Sequence, residues 1–227
     1  MTTHGRMGDN ASGLQSLYPF LYDTKHDLGA VLEQVRRSSE EKVREIVALR
    51  DLVETVLSGK LTACATALAE YFATKGKLLT FGNGGSATDA QAFAHLFFQP
   101  PTGQPLPALS LTNDMAVVTA LANDVGFEVA FARQIAACGT AGDVAVGMST
   151  SGNSANVLQA FDEGAWRGLL TIGFAGYDGG KMAETDSIAY LFVIPSASVH
   201  RIQEAQTTLY HVLWELTQEV LLEHQGG

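Results

Sequence analysis

Val144-Ala145-Val146-Gly147-Met148-Ser149-Thr150-Ser151-Gly152-Asn153-Ser154-Ala155-Asn156-Val157 changes character twice within a short span. Its first five residues are apolar or small, with no alternation. A strand covered on both faces reads this way, as in a parallel sheet. The next six bring four hydroxyls, a glycine and an asparagine. From Ala155 the pattern turns helical as far as Arg167. Strand, polar turn and helix in that order form one unit of an α/β fold.

The same order recurs on either side. Upstream, Leu78–Phe81 is a short continuous apolar run, followed by Gly82-Asn83-Gly84-Gly85-Ser86 and a helical stretch from Ala87 to Phe98. Further runs span Ala108–Leu111, Leu169–Phe174 and Ala189–Ile194. Helical patterns span Asn113–Ala122 and Arg201 to about His224. Strands alternating with helices predict a doubly wound, three-layer α/β sheet of about five strands. Before it, Leu28, Val31, Leu32 and Val35 share one helical face, and Thr62–Thr74 is a second strong helical pattern. The chain therefore divides into a flexible tail over 1–27, a helical segment over 28–76 and the α/β domain over 77–227. The helical segment is expected to pack on the domain or on a partner subunit.

In open α/β sheets ligands bind beyond the carboxyl ends of the strands. Two loops stand there. In Gly82–Ser86 the glycines permit a tight turn and close backbone approach. Ser149–Ser154 sets hydroxyls and backbone N–H groups at a helix N-terminus, which holds a phosphate without needing a lysine. Neither loop is a Walker motif or a GxGxxG fingerprint. Serine, glycine and asparagine are also ordinary turn and cap residues, and one such loop alone reads as that. Two at the strand ends of one sheet point to a ligand site.

Composition narrows the classes. The 227 residues are 46% hydrophobic and 17% charged, enough to bury a core, and carry a formal net charge of −10. An acidic chain without a Lys/Arg cluster is repelled by nucleic-acid backbones. Cys64 and Cys138 lack metal-ligand spacing and read as reduced thiols. No continuous apolar run has the length of a membrane span, and the first twelve residues are polar and small. The expected setting is the cytoplasm, with no membrane and no direct nucleic-acid partner.

Five elements in order carry a resemblance: GNGGS at 82–86, AxxND with a following GF at 120–127, GDVxxGxSTSGNSxNV at 142–157, GYDGGKMA at 176–183 and RIQExQ at 201–206. Together they resemble the sugar isomerase (SIS) domain phosphoheptose isomerases, and also a noncatalytic relative that binds the bacterial replication initiator protein. The resemblance implies a five-stranded parallel sheet flanked by helices, here with an extra helical N-terminal segment. It implies a homotetramer with sites at subunit interfaces. The family reaction converts sedoheptulose 7-phosphate to a heptose 7-phosphate by proton transfer through an enediol. Residue by residue, the resemblance makes Asn83 and Ser86 sugar contacts. It makes Ser149, Thr150, Ser151 and Ser154 the phosphate loop, and places Asn123 and Asp124 near the substrate. Gln203 and His211 match half of the family's zinc and acid–base set.

The other half is missing. Where the family places a His and a Glu four apart on the helix after the first loop, this chain has Ala92 and Leu96, which neither bind metal nor move protons. His95 is one residue off, about 100° around the helix, and reads as a packing or surface histidine. His200 replaces an acidic residue before RIQE. The resemblance thus leaves two readings open. One is a phosphoheptose isomerase-like enzyme with an altered site, in which His211 is catalytic and Gln203 binds substrate. The other is a noncatalytic sugar-phosphate sensor or protein-binding regulatory module. No cofactor is expected unless the zinc site is rebuilt from other residues.

Overall fold

The computed structural model describes residues 28–226, so the tail expected over 1–27 lies outside the described residues. Five parallel strands form one sheet in the order β2-β1-β3-β4-β5. They are β1 (Leu78–Gly82), β2 (Ala108–Ser110), β3 (Val144–Ser149), β4 (Leu170–Gly176) and β5 (Tyr190–Ile194). Every residue of β1, β3 and β4 is buried, which is why these runs are continuous rather than alternating.

The helices are α1 (Leu28–Ala73), α2 (Gly85–Phe98), α3 (Met115–Asp124), α4 (Ala130–Cys138), α5 (Ala155–Trp166) and α6 (Val199–Gly226). Alternate strand residues sort into two cores. Leu78, Val144, Val146, Met148, Ile172 and Phe174 pack with α1, α2 and α6. Leu79, Phe81 and Ala145 pack on the other face with Phe131 and Ile135 of α4 and Val157, Ala160 and Phe161 of α5. The crossover from β1 to β2 therefore runs over one face and that from β3 to β4 over the other. Because β1 and β3 are neighbours, their carboxyl ends flank the topological switch point, where a crevice opens.

The helical patterns read separately near Leu28 and Thr62 are parts of one helix. The chain divides into two units, 1–44 and 45–227. In the first, Arg36 pairs with Glu33 at 2.7 Å and Glu40 at 2.5 Å on the solvated start of α1. In the second, Leu49, Val53, Leu57, Leu61, Cys64, Leu68 and Phe72 recur every three or four positions and are buried in the core. α1 is the one described helix long and apolar enough to cross a membrane; this buried stripe supplies part of its apolarity, while Val47, Leu52 and Val56 stay exposed. Burial also pushes the Cys64 thiol up, leaving it protonated.

At the foot of the sheet, away from the switch point, Asp143 ties β1 to β3. It accepts from the Lys77 backbone N–H at 3.0 Å, from Lys77 Nζ at 2.6 Å, and from the Thr140 N–H and hydroxyl at 2.8 and 2.9 Å. Burial alone would raise this carboxyl, but these donors outweigh it and hold it below the ordinary carboxylate range.

Candidate functional site

Both glycine- and serine-rich loops leave the sheet at the switch point, where Gly82 pairs with Met148. A reciprocal amide pair clamps them together. Asn83 Nδ2 donates to Asn156 Oδ1 at 2.8 Å, and Asn156 Nδ2 donates to Asn83 Oδ1 at 2.9 Å. Asn83 is thereby positioned by the second loop's helix, which its sequence neighbourhood does not announce.

The Ser149–Ser154 turn is braced from within and behind. Gly152 N–H donates to the Ser149 carbonyl at 3.0 Å, and the Ser149 and Ser154 hydroxyls meet at 3.0 Å. Asn153 Nδ2 donates to the Ser151 carbonyl at 2.9 Å, while its Oδ1 accepts from the Lys181 N–H at 3.1 Å. Met182 N–H donates to the Gly152 carbonyl at 3.0 Å. The GYDGGKMA segment is thus the buttress of this loop. Gly152 has φ 66° and a Cβ there would collide with the Gly179 carbonyl, so only glycine fits.

Ser154 is the N-cap of α5, yet no side chain caps the helix. The first N–H groups of an α-helix have no intrahelical acceptor. Here they open beside an exposed Ser151, a half-buried Thr150 and a half-buried Ser154, with Ser149 buried beneath. The helix dipole adds partial positive charge at that point. An anion with several acceptor oxygens fits this arrangement.

The other wall is the seam between α2 and α6. Gln203 of α6 lies against Gly85, where a Cβ would collide with its side-chain amide. It also neighbours Asp89, one helical turn beyond Ser86. Burial raises the Asp89 carboxyl above its ordinary value, and the Gln203 amide, as a donor, opposes part of that rise. Asp89 Oδ2 is buried with no hydrogen-bond partner. Below it the seam closes on aromatic rings, with Phe93 5.3 Å from Tyr210 and 5.0 Å from Phe97. Gln206 is fully buried, and its Oε1 also lacks a partner.

The remaining sequence candidates scatter. Ala92 is exposed, whereas Leu96 is buried in the core on the α2 side. His95 is exposed in the last turn of α2, and His200 is exposed at the start of α6. Asp124 ends α3 in solvent, accepting from Asn123 Nδ2 at 2.7 Å. His211 is exposed, its ring stacked on Tyr210 and its Nδ1 2.9 Å from the Thr207 carbonyl. A carbonyl only accepts, so Nδ1 is the donor in this contact. Eight residues of continuous helix set His211 about 12 Å beyond Gln203 along the axis. Among the described residues, no three His, Cys, Asp or Glu side chains gather to hold a metal.

The profile described as "SIS domain" matches residues 41–176. The chain belongs to the SIS domain family. Its relatives include the phosphoheptose isomerase of Aquifex aeolicus, 41% identical over 195 residues, covering 85% of this chain and 99% of that one. That of Thermodesulfovibrio yellowstonii is 40% identical, covering 84% and 93%. Among solved structures, phosphoheptose isomerase from Neisseria gonorrhoeae superposes with a TM-score of 0.75 at 36% identity, over 82% of this chain and 99% of that one. The SIS family, the five-stranded parallel sheet with its helices and the extra N-terminal helix all match what the motifs led us to expect. Asp89, Asn156 and the Lys181 backbone were not among the expected site residues. Only the one-turn spacing of Asp89 from Ser86 could have signalled it.

Proposed function

We propose that this chain binds a phosphorylated sugar in the crevice between β1 and β3, as a cytoplasmic homotetramer, and that it turns such a sugar over poorly or not at all. The uncapped N-terminus of α5 under the hydroxyls of Ser149, Thr150, Ser151 and Ser154 carries the binding half of this reading. The phosphoryl group occupies that end, and the sugar extends towards Asn83, Ser86 and Gln203. The kinship with enzymes named phosphoheptose isomerase supports a sugar phosphate as the anion's source.

The zinc implied by the resemblance does not fit the residues present. Ala92 supplies a methyl and Leu96 is packed into the core. Gln203 and His211 are what remains of the implied ligand set, and the neutral Gln203 is a weak ligand. A catalytic zinc commonly takes three protein ligands and an open position. Proton transfer between neighbouring carbons also needs a positioned acid–base group on this wall, and Leu96 is none. An intact anion loop beside an unequipped wall favours a phosphosugar-sensing module over a working isomerase.

Assembly is supported by apolar side chains left in solvent. On α1, Val47, Leu52 and Val56 are 51%, 46% and 65% exposed, and a groove of about 300 Å³ lined by Val53, Leu61, Leu209 and Val212 runs between α1 and α6. Such surfaces call for a covering partner. The functional test is calorimetric titration with sedoheptulose 7-phosphate beside unphosphorylated sedoheptulose. Binding of the phosphorylated sugar alone is expected. Equal affinity for both would remove the phosphate loop from the account.

A further inference from the structure

Asn156 is the second residue of α5, so its backbone N–H belongs to the open first turn of that helix. Its side chain pairs instead with Asn83 on the first loop. A carboxamide carries two N–H donors and an oxygen with two lone pairs. The reciprocal pair engages one N–H and one lone pair of each residue and leaves Asn83 one of each. Reversing either amide alone would set N–H against N–H and oxygen against oxygen, so each amide fixes the sense of the other. Asn156 is 3% exposed, whereas Asn83 is half-buried just beyond the end of β1. The spare groups open to a ligand are therefore those of Asn83. Among the described residues, Asn156 is the only hydrogen-bond partner of the Asn83 side chain. The backbone of the loop is held separately. Ser86 N–H donates to the Asn83 carbonyl at 3.0 Å, and a Cβ at Gly82 would lie 2.6 Å from the Ser86 carbonyl oxygen. Losing the Asn156 side chain would thus free the Asn83 amide without unfastening the loop.

We infer that Asn156 is a positioning residue, whose amide orients Asn83 for the sugar of a bound phosphosugar and so couples sugar recognition to the loop that holds the phosphoryl group. This rests on the phosphosugar reading above, in which Asn83 meets the sugar, and deepens it with a buried residue that acts through Asn83. A hydroxyl both donates and accepts, so one N–H and one lone pair on a fixed amide suit a polyol chain. Orienting that amide in advance removes an ordering cost from binding. Inorganic phosphate seated at the α5 end makes no use of it.

The experiment titrates the full-length protein, Asn156→Ala, Asn83→Ala and the double variant with sedoheptulose 7-phosphate and, separately, with inorganic phosphate. Asn156→Ala is expected to lower affinity for sedoheptulose 7-phosphate about 3- to 10-fold, the range of one neutral hydrogen bond. Its affinity for inorganic phosphate should stay within about twofold, as for an independent site. Asn83→Ala should show the same split. The double variant should match Asn83→Ala within about twofold, because Asn156 acts only through Asn83. Residues acting independently would instead multiply their losses. Retained phosphate affinity also reports that the α5 end is folded, and Asn156→Ser, which keeps a polar group in the buried position, should repeat the Asn156→Ala result. Unchanged sugar-phosphate affinity in Asn156→Ala, a parallel loss for both ligands, or multiplied losses in the double variant overturns the inference. Wild-type protein that binds sedoheptulose 7-phosphate no better than inorganic phosphate also overturns it, while leaving the anion loop standing. Wild-type protein that binds neither removes the phosphosugar reading and this inference together.

Discussion

On the β3–α5 side of the crevice, four hydroxyls and an uncapped helix end stand over a fully buried strand, braced from behind by the 176–183 segment. On the β1–α2 side, the helix facing α6 offers Asp89 and then Ala92 and Leu96, side chains with no polar atom. In the proposed reading the first wall holds an anion through hydroxyls and backbone N–H groups, contacts that need no proton transfer. The second offers the Asp89 carboxylate, but apolar side chains at Ala92 and Leu96. In that reading the anion is held on one wall and the family's acid–base set would stand on the other, so a chain could lose one and keep the other.

The contrast breaks most directly on the anion side. Replacing Ser151 and Ser154 together by alanine removes two hydrogen bonds to a charged group, each worth about 1.5 to 3 kcal/mol. Calorimetry should show sugar-phosphate affinity lower by about 10²- to 10⁴-fold, with the fold intact by circular dichroism. Unchanged affinity would place the phosphate elsewhere.

The other wall can be sharpened by refilling it. Ala92→His with Leu96→Glu restores two side chains of the family pattern one helical turn apart on one face. Leu96 is 9% exposed and lies in the core, so the variant is expected to be less stable by about 1 to 3 kcal/mol. It should nonetheless gain zinc, read as one equivalent retained after dialysis where the parent retains none. A variant that folds but takes up no zinc would mean the wall differs in more than these two residues.

The smallest effect is expected far from the crevice. Asp143→Asn loosens the tie between β1 and β3 and should cost about 2 kcal/mol at pH 7. That lowers the melting temperature by roughly 4 to 8 °C for a chain of this size, while sugar-phosphate affinity is unchanged. Because the folded carboxyl sits below its unfolded value, its contribution is complete above about pH 4 and is lost as pH falls through the folded value. The variant should therefore show a flatter acid limb in a pH series of melting curves. An acid limb identical to the parent's would show that Asp143 contributes no such charge-dependent stability.

Strands β1, β3 and β4 were legible in the sequence because burial on both faces leaves a continuous apolar run that turns and helices interrupt. Both loops were legible because glycine and hydroxyl residues at strand ends are rare enough to notice together. Other features were not. Helix α4 was passed over, since its nine residues fall between clearer motifs. Asp89 was missed because one aspartate in a helix normally points to water. Only the packing of α6 against α2 leaves its Oδ2 buried. The Lys77–Asp143 tie and the Asn83–Asn156 clamp join residues 66 and 73 positions apart, which no local pattern encodes.

The central claim, an anion-binding crevice without isomerase equipment, is tested most directly by measuring bound zinc and sedoheptulose 7-phosphate turnover on the same purified protein, with and without added zinc. The account predicts that the sugar phosphate binds, that no stoichiometric zinc is retained, and that turnover stays well below about 1 s⁻¹, the low end of ordinary enzymes. One tightly held zinc per chain together with turnover above that rate would contradict it.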